Sequence, residues 1–465
     1  MRLFLGCVVA TLAMACTVHD NQEEPGTLVS VVPEPAGSNC QYGGVAIETG
    51  TDTNGNGVLD PGEVTSTQYV CSAQASISCA GSGSELKGSI TVESAGDLAQ
   101  LAGVTCVDGD LVIAGTNLTS MPELNTLQVV TGNVAVTGNS SLTSLDDLAA
   151  LRDVGSIYVV QGNPALSDIS ELANLQRVDT IELIDNASLT SLAGLESLTQ
   201  LKPSLVVSGN ASMTSLDGLD NVVNASGSIS IDSNQNLASI TALGQLQTAA
   251  ELDISNDNKL ASIVLPALER VDVRVTIEQN AGLTQLDLPA LTAMADGLTV
   301  SSNPALVELD LPTLLLTGQL NIGGSTILQN ISAPVLAVAT ENVELTTLPA
   351  LQTVEFPALT AIGGALVLQG ATLSSFTGFA NLGSIGGQFW VQGATLTDFT
   401  GLDALQSVAG DMIVTQNPNL ASFAGLTSMS TVDGDLNITS NPTLQSSVAQ
   451  AFAQSISVAG TITID

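Results

Sequence analysis

A single histidine, His19, stands in the 465 residues of this chain, close to the N-terminus and outside any patterned segment. Its isolation removes Ser-His-Asp, Cys-His and His-zinc chemistry from the folded body. Basic residues are also scarce: 8 Lys+Arg stand against 45 Asp+Glu, a formal charge of −37. That balance excludes nucleic acid as a partner, because phosphate binding needs a basic face. Aromatics make up 3% of the chain, with one Trp, and beyond residue 14 no apolar run reaches transmembrane length. What is present in quantity is Ala, Val, Leu, Ser and Thr, with 43 Gly. Mean hydropathy is positive, so the chain has the apolar content to fold rather than stay disordered.

Arg2 precedes an apolar stretch over residues 3–14, which suits a signal-peptide core and is too short to span a bilayer. The stretch ends in Leu12-Ala13-Met14-Ala15-Cys16, which resembles the lipobox of bacterial lipoproteins, with Leu four and Ala three residues before the Cys. The resemblance implies a signal peptide over residues 1–15, acylation of Cys16 and attachment to a membrane. Thr17 after it implies an outer-membrane or cell-surface address. Residues 16–38 hold Pro25, Pro33, Pro35, Gly26, Gly37 and the acids Asp20, Glu23, Glu24 and Glu34, and read as a lipidated Cys with a solvated tether.

Residues 39–77 read as a small Cys-bounded module. Within it, residues 52–63 fit D-x-[DN]-x-[DN]-G-x5-E at every specified place. Calcium takes six to eight oxygens, which here would come from Asp52, Asn54 and Asn56, the Val58 carbonyl, Asp60 directly or through water, and both oxygens of Glu63. Gly57 permits the sharp turn. The flanking residues, Val45-Ala46-Ile47 and 64–70, are β-like, so this is an EF-type loop without EF helices, and it resembles small calcium-loop modules that follow lipoboxes in bacterial surface proteins. Four cysteines remain after Cys7 and Cys16, an even number in an exported chain. Of the three possible pairings, Cys40–Cys71 would enclose the loop and Cys79–Cys106 would staple the start of the next domain.

Over residues 78–465 the chain repeats. An apolar residue after a polar turn recurs from Leu118, Leu142, Leu166, Leu189 and Met213 to Ile327, Leu351, Leu373, Leu396, Leu420 and Leu444, at steps of 21 to 24 residues. About fifteen units of so narrow a period predict a solenoid in which each coil buries its apolar face on its neighbours. Alternating stretches such as Leu205-Val206-Val207 and Leu252-Asp253-Ile254 predict one parallel strand per coil, and a rod of roughly 70 Å. Asn139, Asn163, Asn186, Asn210, Asn234, Asn280, Asn303, Asn417 and Asn441, with Asp257 in one coil, precede the turn apolar residue by three. A buried amide ladder that satisfies turn backbone groups accounts for them. Coils with Gly115, Gly324, Gly370 and Gly393 lack the Asn and are expected to use a turn one residue shorter.

Ile90-Thr91-Val92, a short capping helix over residues 95–101, the Gly109-Asp110-Leu111-x-Ile113 strand and the Asn-x-x-Leu-x-x-Leu turns resemble the receptor L domain, a leucine-rich-repeat-like β-helix. The resemblance covers about 380 residues and implies a mainly β fold, a right-handed parallel β-solenoid with short helical caps, in a family that binds partners through outward strand faces. It does not carry a ligand across, since the matching residues are core positions. The outward positions include Val367, Trp390 and Ile413 on three consecutive coils, with Gln369, Gln392 and Thr415 two places on, a candidate contact surface for a sugar or a protein. Residues 275–465 contain no Lys or Arg and 14 acids, so a partner there must accept a negative surface. The reading is a lipid-anchored, calcium-binding, non-catalytic surface protein for adhesion or recognition. The alternative is an extracellular carbohydrate-active β-helix enzyme, which needs clustered outward carboxylates.

Overall fold

The computed structural model describes residues 14–16, 27–34, 44–54, 56, 59–71, 77–202 and 204–465. Met1–Ser76 and Ile77–Asp465 form two compact units. The first contains an antiparallel sheet in chain order, β1 (Met14–Cys16), β2 (Thr27–Glu34), β3 (Gly44–Thr51) and β4 (Val64–Cys71). Residues 27–34 are thus a strand rather than tether, paired along their full length with β3. Pro33 lies beyond the part of β2 that β1 pairs, which reaches only from Val29 to Val31. Cys40 lies outside the described residues, as do Val58 and most of the signal-peptide stretch.

In the second unit, seventeen parallel rungs among the described residues run from Ile90–Val92 to Ile462–Ile464 as one long sheet. Within each rung, residues alternate: Leu252 and Ile254 are fully buried, while Asp253 between them faces outward. A second ladder of short strands precedes the long sheet in each coil and merges with it through two extended strands, Asn224–Asp232 and Thr248–Ser255. A third sheet, from Ser262–Val264 to Thr353–Glu355, covers five central coils on the other side. Between the sheets the inward Leu, Ile and Val side chains form one continuous core. At the corner before the long sheet, backbone lies on backbone; a Cβ on Gly155 would come within 1.7 Å of the Thr131 carbonyl oxygen.

Each coil from the strand Leu111–Ala114 to the strand Leu436–Thr439 turns its corner through a left-handed residue. Gly115, Gly138, Gly162 and Gly209 take it at φ of 62–68°, and Asp185, Ser233, Asn256, Gln279, Ser302, Thr347, Gln416 and Ser440 take it at 55–60°. The buried ladder residue follows immediately. In the coils with neither Asn nor Asp that place passes to Thr116, Ser325, Leu348, Ala371 and Ala394, all buried. After Thr116, Ala371 and Ala394 the turn is one residue shorter, as expected, but after Ser325 it is not. There Leu328 takes the core position and Ile327 is 43% exposed.

The ends are closed differently. Ser94 caps the first helical turn, α1 (Ala95–Leu98), which continues as a 3-10 turn to Leu101, and the disulfide Cys79–Cys106 ties the segment before it to the next strand with Cα atoms 5.5 Å apart. At the other end α2 (Ser446–Ser455) buries Phe452 on Phe423, at the end of a chain of ring contacts that starts at Phe356.

Candidate functional site

Two places gather the expected site residues. The first is the turn between β3 and β4. Gly50 sits where a Cβ would collide with the Glu63 carbonyl at 1.9 Å, so the loop closes on itself without a side chain at that point. Glu63 is 8% exposed and its carboxylate is the hub: Oε1 accepts from the Thr53 N–H (2.8 Å) and hydroxyl (2.7 Å), and Oε2 accepts from the Asp60 N–H (3.1 Å). The Thr53 hydroxyl first, then the Asp60 amide, hold its carboxyl below the ordinary value of 4.5. Asp52 Oδ1 accepts from the Asn56 N–H at 3.2 Å. Asn54 and Asn56 both donate from Nδ2 to Asp60 Oδ2, at 2.7 and 3.0 Å, so the side chains at loop positions 3, 5 and 9 converge. Turning each amide over places its oxygen at the same spot, which suits a hard cation. Among the described residues no three acids, thiols or imidazoles stand as a preformed metal cluster.

The second place is the outward face of the long sheet. Val367, Trp390 and Ile413 are paired rung to rung in one row, with Gln369, Gln392 and Thr415 in the parallel row. Val367 is nearly buried at 9% exposure, and Trp390 and Ile413 are half-buried. The Trp390 Nε1–H is buried and has no acceptor among the described residues. The amide row runs from Gln369 to Gln392 (2.8 Å) and then to Gln416 (2.9 Å), not to Thr415, whose hydroxyl meets that of Thr439 at 3.1 Å. A separate depression of about 410 Å³ lies on the third sheet beside Glu355, Ser374 and Thr377.

One feature was missed in the sequence. Each long-sheet strand presents two outward rows, and the second brings Asp232 and Glu278 to the coils on either side of Asp253, in register with Ser255. Asp232 accepts from Ser255 (3.1 Å) and Asn256 (2.8 Å), and Glu278 accepts from Ser301 at 2.6 Å. Glu251 on the Asp253 strand is bound by Arg274 at 2.5 Å. Burial pushes the Asp253 carboxyl up, and Asp232, Glu278 and Glu251 add to the shift, while the Ser255 hydroxyl opposes it. Its Oδ1 has no partner among the described residues. Reading both outward residues of each strand would have found this group.

Comparisons with known proteins add the following. A family model described as a domain of unknown function (DUF7151) matches residues 27–71, the span from β2 to β4. Among solved structures, a leucine-rich repeat protein from Bacteroides ovatus ATCC 8483 is similar at 11% identity, over 70% of this chain and 82% of that one, with a TM-score of 0.22. No curated protein matches the chain. The geometry itself defines the class: a long, mainly parallel β-solenoid, preceded in the chain by a small module with a four-stranded antiparallel sheet.

Proposed function

We propose that this chain is a lipid-anchored surface protein, held by an acylated Cys16 at the bacterial outer membrane, that binds calcium in its hairpin module and displays the solenoid as a non-catalytic recognition surface for a glycan or a protein. The observation that carries the reading is the Trp390 row. A buried indole N–H without an acceptor is costly to keep, and an acceptor from a bound partner would satisfy it. Beside it stand apolar Val367 and Ile413 and the amides of Gln369 and Gln392, the mixture of flat apolar area and polar amides that suits sugar rings or a protein edge. Calcium would be held by Asp52, Asn54, Asn56, Asp60 and Glu63 with the Val58 carbonyl, and Cys40–Cys71 would brace the hairpin from outside the loop. The experiment is a binding screen of the protein against surface glycans and extracted surface proteins, with Trp390→Ala alongside. A hit lost in the variant supports the reading, and a hit that survives moves the site off this row.

A second reading is favoured by the carboxylates Asp232, Asp253 and Glu278 on three consecutive coils, one of them with a raised pKa. Clustered acids of this kind serve glycoside cleavage. Release of reducing sugar from polysaccharide by the wild type and not by Asp253→Asn would favour it over the binding role.

A further inference from the structure

The amide ladder carries an acid at one rung. Along its regular stretch each ladder Asn makes two contacts with the preceding coil. Its Oδ1 accepts from that coil's ladder N–H, and its Nδ2 donates to the carbonyl three residues earlier. Asn234 donates to Val207 at 2.9 Å, Asn280 to Ile254 at 2.9 Å and Asn303 to Ile277 at 2.8 Å. Asp257 keeps the first contact, its Oδ1 accepting from the Asn234 N–H at 2.7 Å, and its own N–H donates to Asn280 Oδ1 at 2.9 Å. The second contact needs a donor. The coil-to-coil rule carries Asp257 Oδ2 to the place of the amide nitrogen, facing the Ile231 carbonyl, where a carboxylate would set two acceptors against each other. Asp257 is fully buried, and this Oδ2 has no partner among the described residues. A lone buried acceptor is costly, and a lone buried charge more so.

We propose that Asp257 is held in the ladder as a neutral acid whose Oδ2–H donates to the Ile231 carbonyl, and that this rung is a pH-sensitive joint in the solenoid. The surrounding acids favour the proton. Asp232 on the preceding coil and Asp253 on the same strand oppose a further anion, and Glu251 and Glu278 press on Asp253 in turn. The nearby cations are engaged elsewhere: Lys259 donates to Asn236 Oδ1 and Arg274 binds Glu251. Burial dominates, and the carboxyl is pushed up to about 7 from an ordinary 3.8. Because the folded value is the higher one, between about 4 and 7 the native chain holds a proton that the unfolded chain has lost. Stability therefore falls as pH rises through that interval and levels off above it. Near 7 the folded rung itself ionises and loses its contact with Ile231.

The test compares the full chain with Asp257→Asn, which restores the amide of the other rungs. The melting temperature of the variant should exceed that of the wild type by a few degrees more at about pH 8 than at about pH 4. Infrared difference spectra, wild type minus variant, should show the carbonyl band of a protonated carboxylic acid at about pH 6, gone by about pH 9. A melting difference that is the same at both pH values, or no such band on the acid side, overturns the proposal. So does stabilisation by added calcium of the wild type alone, which would put a cation where the proton is assigned.

Discussion

Phe423 and Phe452 stack with ring centroids 4.1 Å apart and planes 3° from parallel. This contact fastens α2 to the end of the coil stack, and Phe399 continues it inward at 5.5 Å from Phe423. Solenoid coils contact only their neighbours, so an end that loses its cap frays by itself. Phe452→Ala should cost about 3 kcal/mol locally, by the usual scale for a buried Phe. Hydrogen exchange should then quicken in the strands Met412–Thr415 and Leu436–Thr439 while the first coils keep their protection. Uniform loss across the rod would count against independent fraying.

Asn210 is a regular rung: its Nδ2 donates to Leu183 at 2.8 Å, and its Oδ1 receives the Asn186 N–H at 3.0 Å. Replacing it by Ala orphans both backbone groups where water does not reach. A loss of about 2–4 kcal/mol is expected, from one to two buried groups left unpaired. Thermal melting checks it, and the same change at half-buried Asn236, whose contacts to Ala211 and Lys259 lie at the surface, should cost less.

Asp153 is 5% exposed and is met by the Arg177 Nε at 2.6 Å and the Arg152 Nε at 3.3 Å. Arg177→Ala leaves this carboxylate with the weaker contact, and a loss of about 1–3 kcal/mol follows from an incompletely paired buried charge. Asp153→Asn on the Arg177→Ala background should recover part of it, which a double-mutant cycle of melting temperatures measures.

Glu63 is held below its ordinary 4.5, so it contributes stability above that value that is lost as pH falls through the lowered one. The hairpin module should therefore loosen in acid, and Glu63→Gln should remove that dependence. Terbium luminescence in the loop should show tighter binding by the wild type than by Glu63→Gln, tenfold or more. Chelation should loosen residues 44–71 and spare the β-signal of the solenoid.

The repeat was legible because its cause is local and recurrent. A buried Asn at a constant place, Leu at steps of three and an alternating strand suffice to set the coil, and the structure puts Asn139, Asn163, Asn186 and Asn210 in one ladder. The corner was less legible. Its left-handed residue is Gly in some coils and Asp185, Ser233 or Gln416 in others, so composition points to it in only part of the repeat. The strand β2 was hidden by Pro25, Pro33 and Pro35, which read as tether, although Leu28, Val29, Val31 and Val32 carry the strand pattern. The carboxylates around Asp253 were hidden for another reason: neighbours across coils are some 23 residues apart, and only register reveals which outward row each one joins.

The amide ladder also has a direction. Each rung's backbone N–H points to the following coil and each amide nitrogen to the preceding one. A cut between two coils therefore leaves backbone N–H and C=O groups bare on one stump and a whole side-chain amide bare on the other. Two such stumps can match only head to tail, never as mirror ends. Growth or shortening of the protein over generations is then restricted to whole coils inserted in one orientation, and its length changes in steps of one repeat.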